Sequence, residues 1–160
     1  MATVEQNIID EIIKVTLPKI NGEGGYSKSV KAKNIFDGFL SPNSSSEYPY
    51  LCVVDESQTK FSQRDSEGNI YVSGGKDNNM LDGWPIEIYG YVKTKTGEVL
   101  AEELRKLQND IIKAMLADKK RGGHAWGTSL LGYVKTNNYR KHNDIGEVIV
   151  VFSIKYQLGI

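Results

Sequence analysis

The residues best suited to chemistry lie in the segment LADKKRGGHAWG, residues 116–127, where three cationic side chains are followed by two glycines and a histidine. This combination could bind a phosphate group or supply a general base. A phosphate site needs glycines before a helix, where free N–H groups face the anion, but Gly122 and Gly123 follow a helical pattern. We therefore interpret the segment as a helix end, with its cations near the negative pole of the helix and a glycine in the left-handed conformation.

The two histidines, His124 and His142, are eighteen positions apart, and neither belongs to an HExxH motif or lies beside another typical metal ligand. A catalytic role for His124 requires a nucleophile and an orienting carboxylate at the same place, and the sequence singles out neither. The glycine loop YVSGGKDN lacks the P-loop spacing, because Ile70 and Asp77 occupy positions that require glycine and serine or threonine. We predict no metal site, no nucleotide site and a histidine in a polar turn.

The single cysteine and the paired carboxylates also give no indication of a chemical site. Cys52 is the only cysteine, which excludes a disulfide within the chain and any multi-cysteine metal site. Its context, YLCVVD, is typical of a buried strand. Glu102 and Glu103 point in different directions on a helix, and we expect both in solvent, with Glu102 paired to Lys106. The sequence predicts no catalytic residue, no cofactor and no enzyme.

Length and charge restrict the class of protein. The 160 residues fit a single domain, residues 1–160. Twenty basic and twenty acidic residues give a formal net charge of zero, which argues against tight nucleic-acid binding. The sequence has no apolar run long enough to span a bilayer, and residues 1–7 lack the positive charge of a signal peptide. We expect synthesis in a cytoplasm and no membrane partner.

The elements that position these residues follow from hydrophobic periodicity. A 3.6-residue period predicts a helix in VEQNIIDEIIKVTLPK, capped by Thr3, and a second, long helix whose apolar stripe is Leu100, Leu104, Leu107, Ile111 and Met115. Strands are predicted in YPYLCVV, WPIEIYGYVK, GTSLLGYVKT and GEVIVVFSIKYQ. The last of these is apolar on both faces, which is typical of a central strand or of one that meets a neighbouring subunit. Residues 60–83 are rich in turn residues and are predicted to form an inserted loop or hairpin.

One loop has the composition of a contact surface. The segment TNNYRKHND joins the two final strands and places Tyr139, Arg140 and Lys141 at a predicted hairpin tip. Tyrosine and arginine are favoured contact residues. A partner-binding tip and a solvated loop fit the sequence equally well.

The order of these elements resembles the tail terminator, or tail completion, proteins of long-tailed bacteriophages. The resemblance rests on the N-terminal helix, the strand YPYLCVV, the strand WPIEIYGYV, the helix GEVLAEELRKLQNDIIKAMLADKKRGG and the closing strand IVVFSIKY. It implies an α/β (α+β) fold in which two helices pack on one face of a mixed, mostly antiparallel sheet. It implies no catalytic residues.

The same resemblance implies an assembly role in the virion. Members of this family form a hexameric ring on the head-proximal end of the tail tube, stop its growth and dock the head-completion or connector proteins. A ring-former offers its neighbours strand edges or apolar strand faces, so Tyr89 and Tyr91 join the hairpin tip as candidate interface residues. Two alternatives stay open: another neck or head-tail joining protein, and a small hydrolase-like enzyme with dispersed Asp, Glu and His residues.

Overall fold

A computed structural model of the chain describes residues 2–41, 46–55, 63–64, 70–71, 80–136 and 144–157, with the backbone alone described for 63–64, 70–71 and 80–82. The described strands are β1 (Ile35–Asp37), β2 (Tyr50–Asp55), β3 (Gln63–Arg64), β4 (Ile70–Tyr71), β5 (Met80–Lys93), β6 (Gly127–Thr136) and β7 (Ile145–Gln157). Five of them form a central sheet in the order β1-β2-β5-β7-β6. Among the strand pairs of the described residues, only β1–β2 is parallel. The predicted mixed, mostly antiparallel sheet is confirmed.

The first helical segment begins where the sequence places it. Helix α1 (Val4–Glu11) is capped by Thr3, whose Oγ1 accepts the backbone N–H of Gln6 at 3.0 Å. The chain continues as a π-helical turn, Ile12–Thr16, and a 3-10 turn, Leu17–Lys19. Side chains five residues apart align in a π-helix, and the Thr16 hydroxyl accordingly donates to Glu11 Oε1 at 2.5 Å.

Helix α2 (Leu100–Ala117) packs its predicted stripe against the same sheet face as α1. Leu104, Leu107, Ile111 and Met115 are fully buried. Two glycines let the helix approach the strands closely: a Cβ on Gly90 would lie 2.8 Å from Leu107 Cδ2, and one on Gly146 would lie 2.7 Å from Leu104 Cδ1. The predicted α+β architecture, with two helices on one face, is confirmed.

The loop between the first helical segment and β1 is attached to α2. The carboxylate of Asp110, which is buried in α2, accepts the backbone N–H groups of Ser27 at 3.0 Å and Lys28 at 2.7 Å. Lys113 donates to the carbonyl of Gly24 at 2.9 Å. These bonds hold a polar, glycine-rich stretch against the helix that covers the sheet.

The predicted insertion at residues 60–83 is a hairpin in part. Strands β3 (Gln63–Arg64) and β4 (Ile70–Tyr71) pair in antiparallel fashion and form a separate two-stranded sheet. Strand β5 begins inside the predicted range, at Met80, which pairs with Gln157.

None of the helices in the described part of the chain has the length and apolar character needed to cross a lipid bilayer.

Candidate assembly interface

The segment 116–127 contains the end of α2, but the helix ends at Ala117 with an extended Asp118, so the predicted cations and glycines lie beyond its last turn. Gly122 and Gly123 adopt positive φ angles of 65° and 93° after α2 ends. Arg121 itself has a φ of 50° and is 0% exposed. Its guanidinium donates to the carbonyls of Met115 and Asp118, which lie at the end of α2.

The same guanidinium also reaches the first helical segment. Arg121 Nη1 donates to Thr16 Oγ1 at 3.1 Å and lies 3.5 Å from Glu11 Oε2. Burial lowers the pKa of Arg121, and the nearby Glu11 carboxylate opposes that effect. Arg121 therefore joins the ends of both helical segments, which is a structural role.

The remaining chemical candidates lie apart from one another. His124 is exposed in the turn after Gly123, as the polar-turn interpretation predicts. Cys52 is fully buried within β2, and burial raises the pKa of its thiol, which disfavours the reactive thiolate. Within the described ranges, no three His, Cys, Asp or Glu side chains come together as a metal-binding group.

The prediction for the helix carboxylates is wrong for Glu103. Glu103 is buried, and its carboxylate binds the Nζ groups of Lys28 and Lys106, the latter at 3.1 Å. The hydrogen bond from Lys28 lowers the pKa of Glu103 more than burial raises it. Lys106 thus pairs with Glu103 instead of Glu102, because the loop carrying Lys28 covers that side of α2.

Tyr89 and Tyr91 lie on the sheet face opposite the helices, which we call the open face. Tyr91 is fully buried: its ring stacks on Tyr50 with a centroid distance of 4.7 Å, and its hydroxyl donates to Glu147 Oε2 at 2.6 Å. Tyr91 is therefore a core residue of the free chain. Tyr89 stays partly exposed, with the ring of Phe39 at 5.4 Å.

The hairpin tip lies outside the described residues. Tyr139, Arg140 and Lys141 belong to the segment between β6 and β7, of which residues 137–143 are not described. The two strands that flank it pair in antiparallel register from Thr136 and Glu147 onward. Its contact role stays a prediction.

The feature that the sequence did not single out is the edge strand β6. Within the described sheet, β6 pairs with β7 alone, so its outer side presents backbone groups that no other described strand binds. It also exposes large apolar side chains: Leu131 is 62% exposed, Val134 61% and Tyr133 51%, and Trp126 just before the strand is 60% exposed. Natural edge strands usually carry charges or proline that prevent pairing, and β6 has a single charged residue, Lys135.

A β-bulge interrupts the regular pairing of β6 with β7. The register with β7 shifts between Leu130 and Gly132, which leaves Leu131 without a partner in the ladder. A bulge bends its strand and changes the direction of the side chain it carries. Leu131 is thus the most exposed large apolar residue of β6 and stands outside the regular pairing.

An apolar row continues from β6 across the open face. Val134 pairs with Ile149, and Ile149 pairs with Tyr89 on the next strand. Directly opposite residues in antiparallel strands have Cβ atoms roughly 5 Å apart, so the three side chains are contiguous. Ile149 and Tyr89 are partly exposed.

The opposite edge of the sheet carries a small cavity. Strand β1 is three residues long, and beside it lies a cavity of about 220 Å³. Its described lining comprises Lys33, Asn34, Phe36, Leu40, Ser46, Glu47 and Tyr50. Phe36, Leu40 and Tyr50 supply its apolar and aromatic lining, and Lys33 and Glu47 form an ion pair at 3.0 Å.

Comparison with known proteins does not identify a family for this chain. No protein-family model matches the chain, and no curated protein matches it significantly.

Proposed function

We propose that this chain is a tail terminator of a long-tailed bacteriophage, a structural protein that forms a ring on the head-proximal end of the tail tube. In this role it ends tube polymerisation and docks the head-completion or connector protein. Its partners are copies of itself, the tail tube protein and that connector, and its place is the tail or neck of the virion. The order of elements that resembles this family is the source of the proposal.

The observation that carries the proposal is the apolar edge of β6. An exposed, unpaired strand edge with large apolar side chains is a template for pairing with another chain. Exposed apolar surface beside it, in the row from Val134 to Tyr89, marks the same region as a contact site. Both features favour a protein that acts through assembly.

The chemistry of the described residues supports the same class. Arg121 and Glu103, the most conspicuous charged groups, are used to hold helices and loops together. A net charge of zero provides no general attraction to nucleic acid. We therefore propose no catalytic residue, no cofactor and no metal.

Sedimentation velocity and negative-stain imaging test the proposal. We expect the purified chain to form a closed ring and the variant Leu131→Asp/Val134→Asp to remain monomeric with its helices and sheet intact. Val15→Asp, at a similarly exposed apolar position on the π-helical turn, is the matched control and should still form rings. A wild-type chain that stays monomeric both alone and on tail tubes contradicts the proposal.

A second readout separates the terminator from another neck or head-tail joining protein, which would also assemble. Tail tubes grown with the wild-type chain should stop at a uniform length, whereas tubes grown with Leu131→Asp/Val134→Asp should overgrow. Uniform tubes without any functional copy would favour the joining role. Turnover of a substrate that is lost in His124→Ala would favour the enzyme.

A further inference from the structure

The described sheet has two edges, and both carry features suited to a partner. One edge is β6, with the bulged Leu131. The other is β1, with the cavity that Phe36, Leu40 and Tyr50 line. A protein that assembles with itself can use these edges in two ways: β6 against β6, or β6 against β1.

The two arrangements lead to different assemblies. Pairing of β6 with β6 is isologous and closes at two subunits, since each copy uses the same edge. Pairing of β6 with β1 is heterologous and builds a ring when the rotation closes. The ring of the proposed function requires the second arrangement.

The cavity at β1 fits a side chain better than a metabolite. Small-molecule pockets occupy roughly 300–1,000 Å³, and this cavity measures about 220 Å³. The apolar and aromatic part of its lining, Phe36, Leu40 and Tyr50, suits an aliphatic side chain, because burial of apolar surface away from water is favourable. Leu131 is such a side chain, and the bulge takes it out of the regular ladder.

The charges on the two edges are also compatible with a contact between β6 and β1. Lys135 is exposed on β6, and Asp37 is exposed at the end of β1. Glu47 lies 3.7 Å from Lys31 and 3.0 Å from Lys33 and offsets one of these two positive charges, and Asp37 offsets the other. The β1 edge therefore presents no excess positive charge that would repel Lys135.

We infer that β6 of one copy docks head-to-tail on the β1 edge of the next copy, with Leu131 inserted between Phe36, Leu40 and Tyr50. This inference rests on the proposed ring and specifies its contact. The three residues of β1 limit strand pairing to a short stretch, so side-chain insertion supplies much of the contact.

Cysteine cross-linking tests the arrangement. Two proteins are prepared in a Cys52→Ala background, one with Leu131→Cys and the other with Lys33→Cys beside the cavity. Each protein alone, and a mixture of the two, is treated with a short bis-maleimide. We expect cross-linked dimers in the mixture and none with either protein alone. The double variant Leu131→Cys/Lys33→Cys should give a ladder that ends at the ring number. Lys14→Cys on the π-helical turn, mixed with either protein, is the control and should give no cross-link.

The outcomes distinguish this contact from the ring itself. Cross-linking of Leu131→Cys with itself would show β6–β6 pairing and overturn the inference. Rings that form normally but show no cross-link in the mixture would also overturn it, while the proposed function would stand. Absence of any assembly, by sedimentation and on tail tubes, would contradict the proposed function first and the contact with it.

Discussion

At the scale of single residues, Arg121 is the clearest case of a buried charge with a structural use. Its guanidinium binds carbonyl oxygens at the end of α2 and faces Glu11 and Thr16 of the first helical segment. The last carbonyls of a helix have no partner within the helix. Arg121 supplies donors to them and, at the same time, links two elements that are distant in sequence.

Removal of the Arg121 side chain should leave an uncompensated charge on Glu11. We expect Arg121→Met to lower the free energy of unfolding by about 3–5 kcal/mol, as measured by urea denaturation. Lys120→Met, at the exposed neighbouring position, should change it by less than about 0.5 kcal/mol. Because Glu11→Gln neutralises the orphaned carboxylate, the double variant Arg121→Met/Glu11→Gln should be more stable than Arg121→Met. If Arg121→Met and Lys120→Met lowered the free energy of unfolding equally, the structural role of Arg121 would be refuted.

The Lys28–Glu103 contact makes part of the stability dependent on acid pH. The folded-state pKa of Glu103 lies below its ordinary value of 4.5, so the ionised carboxylate favours the folded state. This contribution is complete above about pH 4.5 and is lost as the pH falls through the lowered folded-state pKa. We expect Glu103→Gln to be less stable than wild type at neutral pH, with the difference shrinking below pH 4.5 in urea titrations. Exposed Glu102→Gln should show no such convergence.

At the scale of elements, the close approach of α2 to β5 and β7 depends on glycine. A Cβ on Gly90 would lie 2.8 Å from Leu107 Cδ2 and 3.1 Å from Val148 Cγ1. We expect Gly90→Ala to lower the free energy of unfolding by about 1–3 kcal/mol, since the buried side chains of Leu107 and Val148 must move to admit the added methyl group. Gly127→Ala is the matched control, because its Cβ meets no atom within 4 Å. The thermal unfolding midpoints of Gly90→Ala and Gly127→Ala measure this difference in stability. Equal midpoints would refute the prediction.

Periodicity was sufficient to predict most elements. The stripe from Leu104 to Met115 and the alternation in β5 and β7 follow from burial on one face, which a sequence displays directly. The Thr3 cap was predictable because its hydrogen bond is local. Strand order and the parallel β1–β2 pair were not predictable from these patterns, because they depend on contacts between distant segments.

The candidate interface was harder to predict than the fold. Tyr91 has the residue type of a contact surface, but the chain covers it with its own Tyr50 ring. Arg121 follows a helix end, where arginine is normally solvated, and only the position of Thr16 and Glu11 explains its burial. For β6, the consecutive apolar residues Leu130-Leu131 were a usable signal, since a strand with one solvent-facing side does not need two adjacent large apolar residues. Its position at the sheet edge was not visible in the sequence.

At the scale of the whole molecule, an apolar contact has a characteristic response to salt. Screening weakens contacts between exposed charges, whereas burial of apolar side chains is maintained or strengthened by salt. We expect ring assembly through β6 to persist or increase as sodium chloride is raised, as measured by sedimentation velocity. Near the pI of about 6.7 the zero net charge permits nonspecific association. The sodium chloride titration should therefore be carried out at a pH well away from the pI. Dissociation by salt would indicate an electrostatic contact.

The position of β7 between β5 and β6 also affects how the chain folds during translation. Residues 127–136 emerge from the ribosome before residues 145–157, yet in the described sheet β6 is hydrogen-bonded only to β7. Until β7 emerges, β6 therefore lacks its hydrogen-bonding partner, and both of its edges are open to neighbouring nascent chains. Polysomes that translate this message bring such chains together, so the interval between the two strands is when off-pathway association is most favoured.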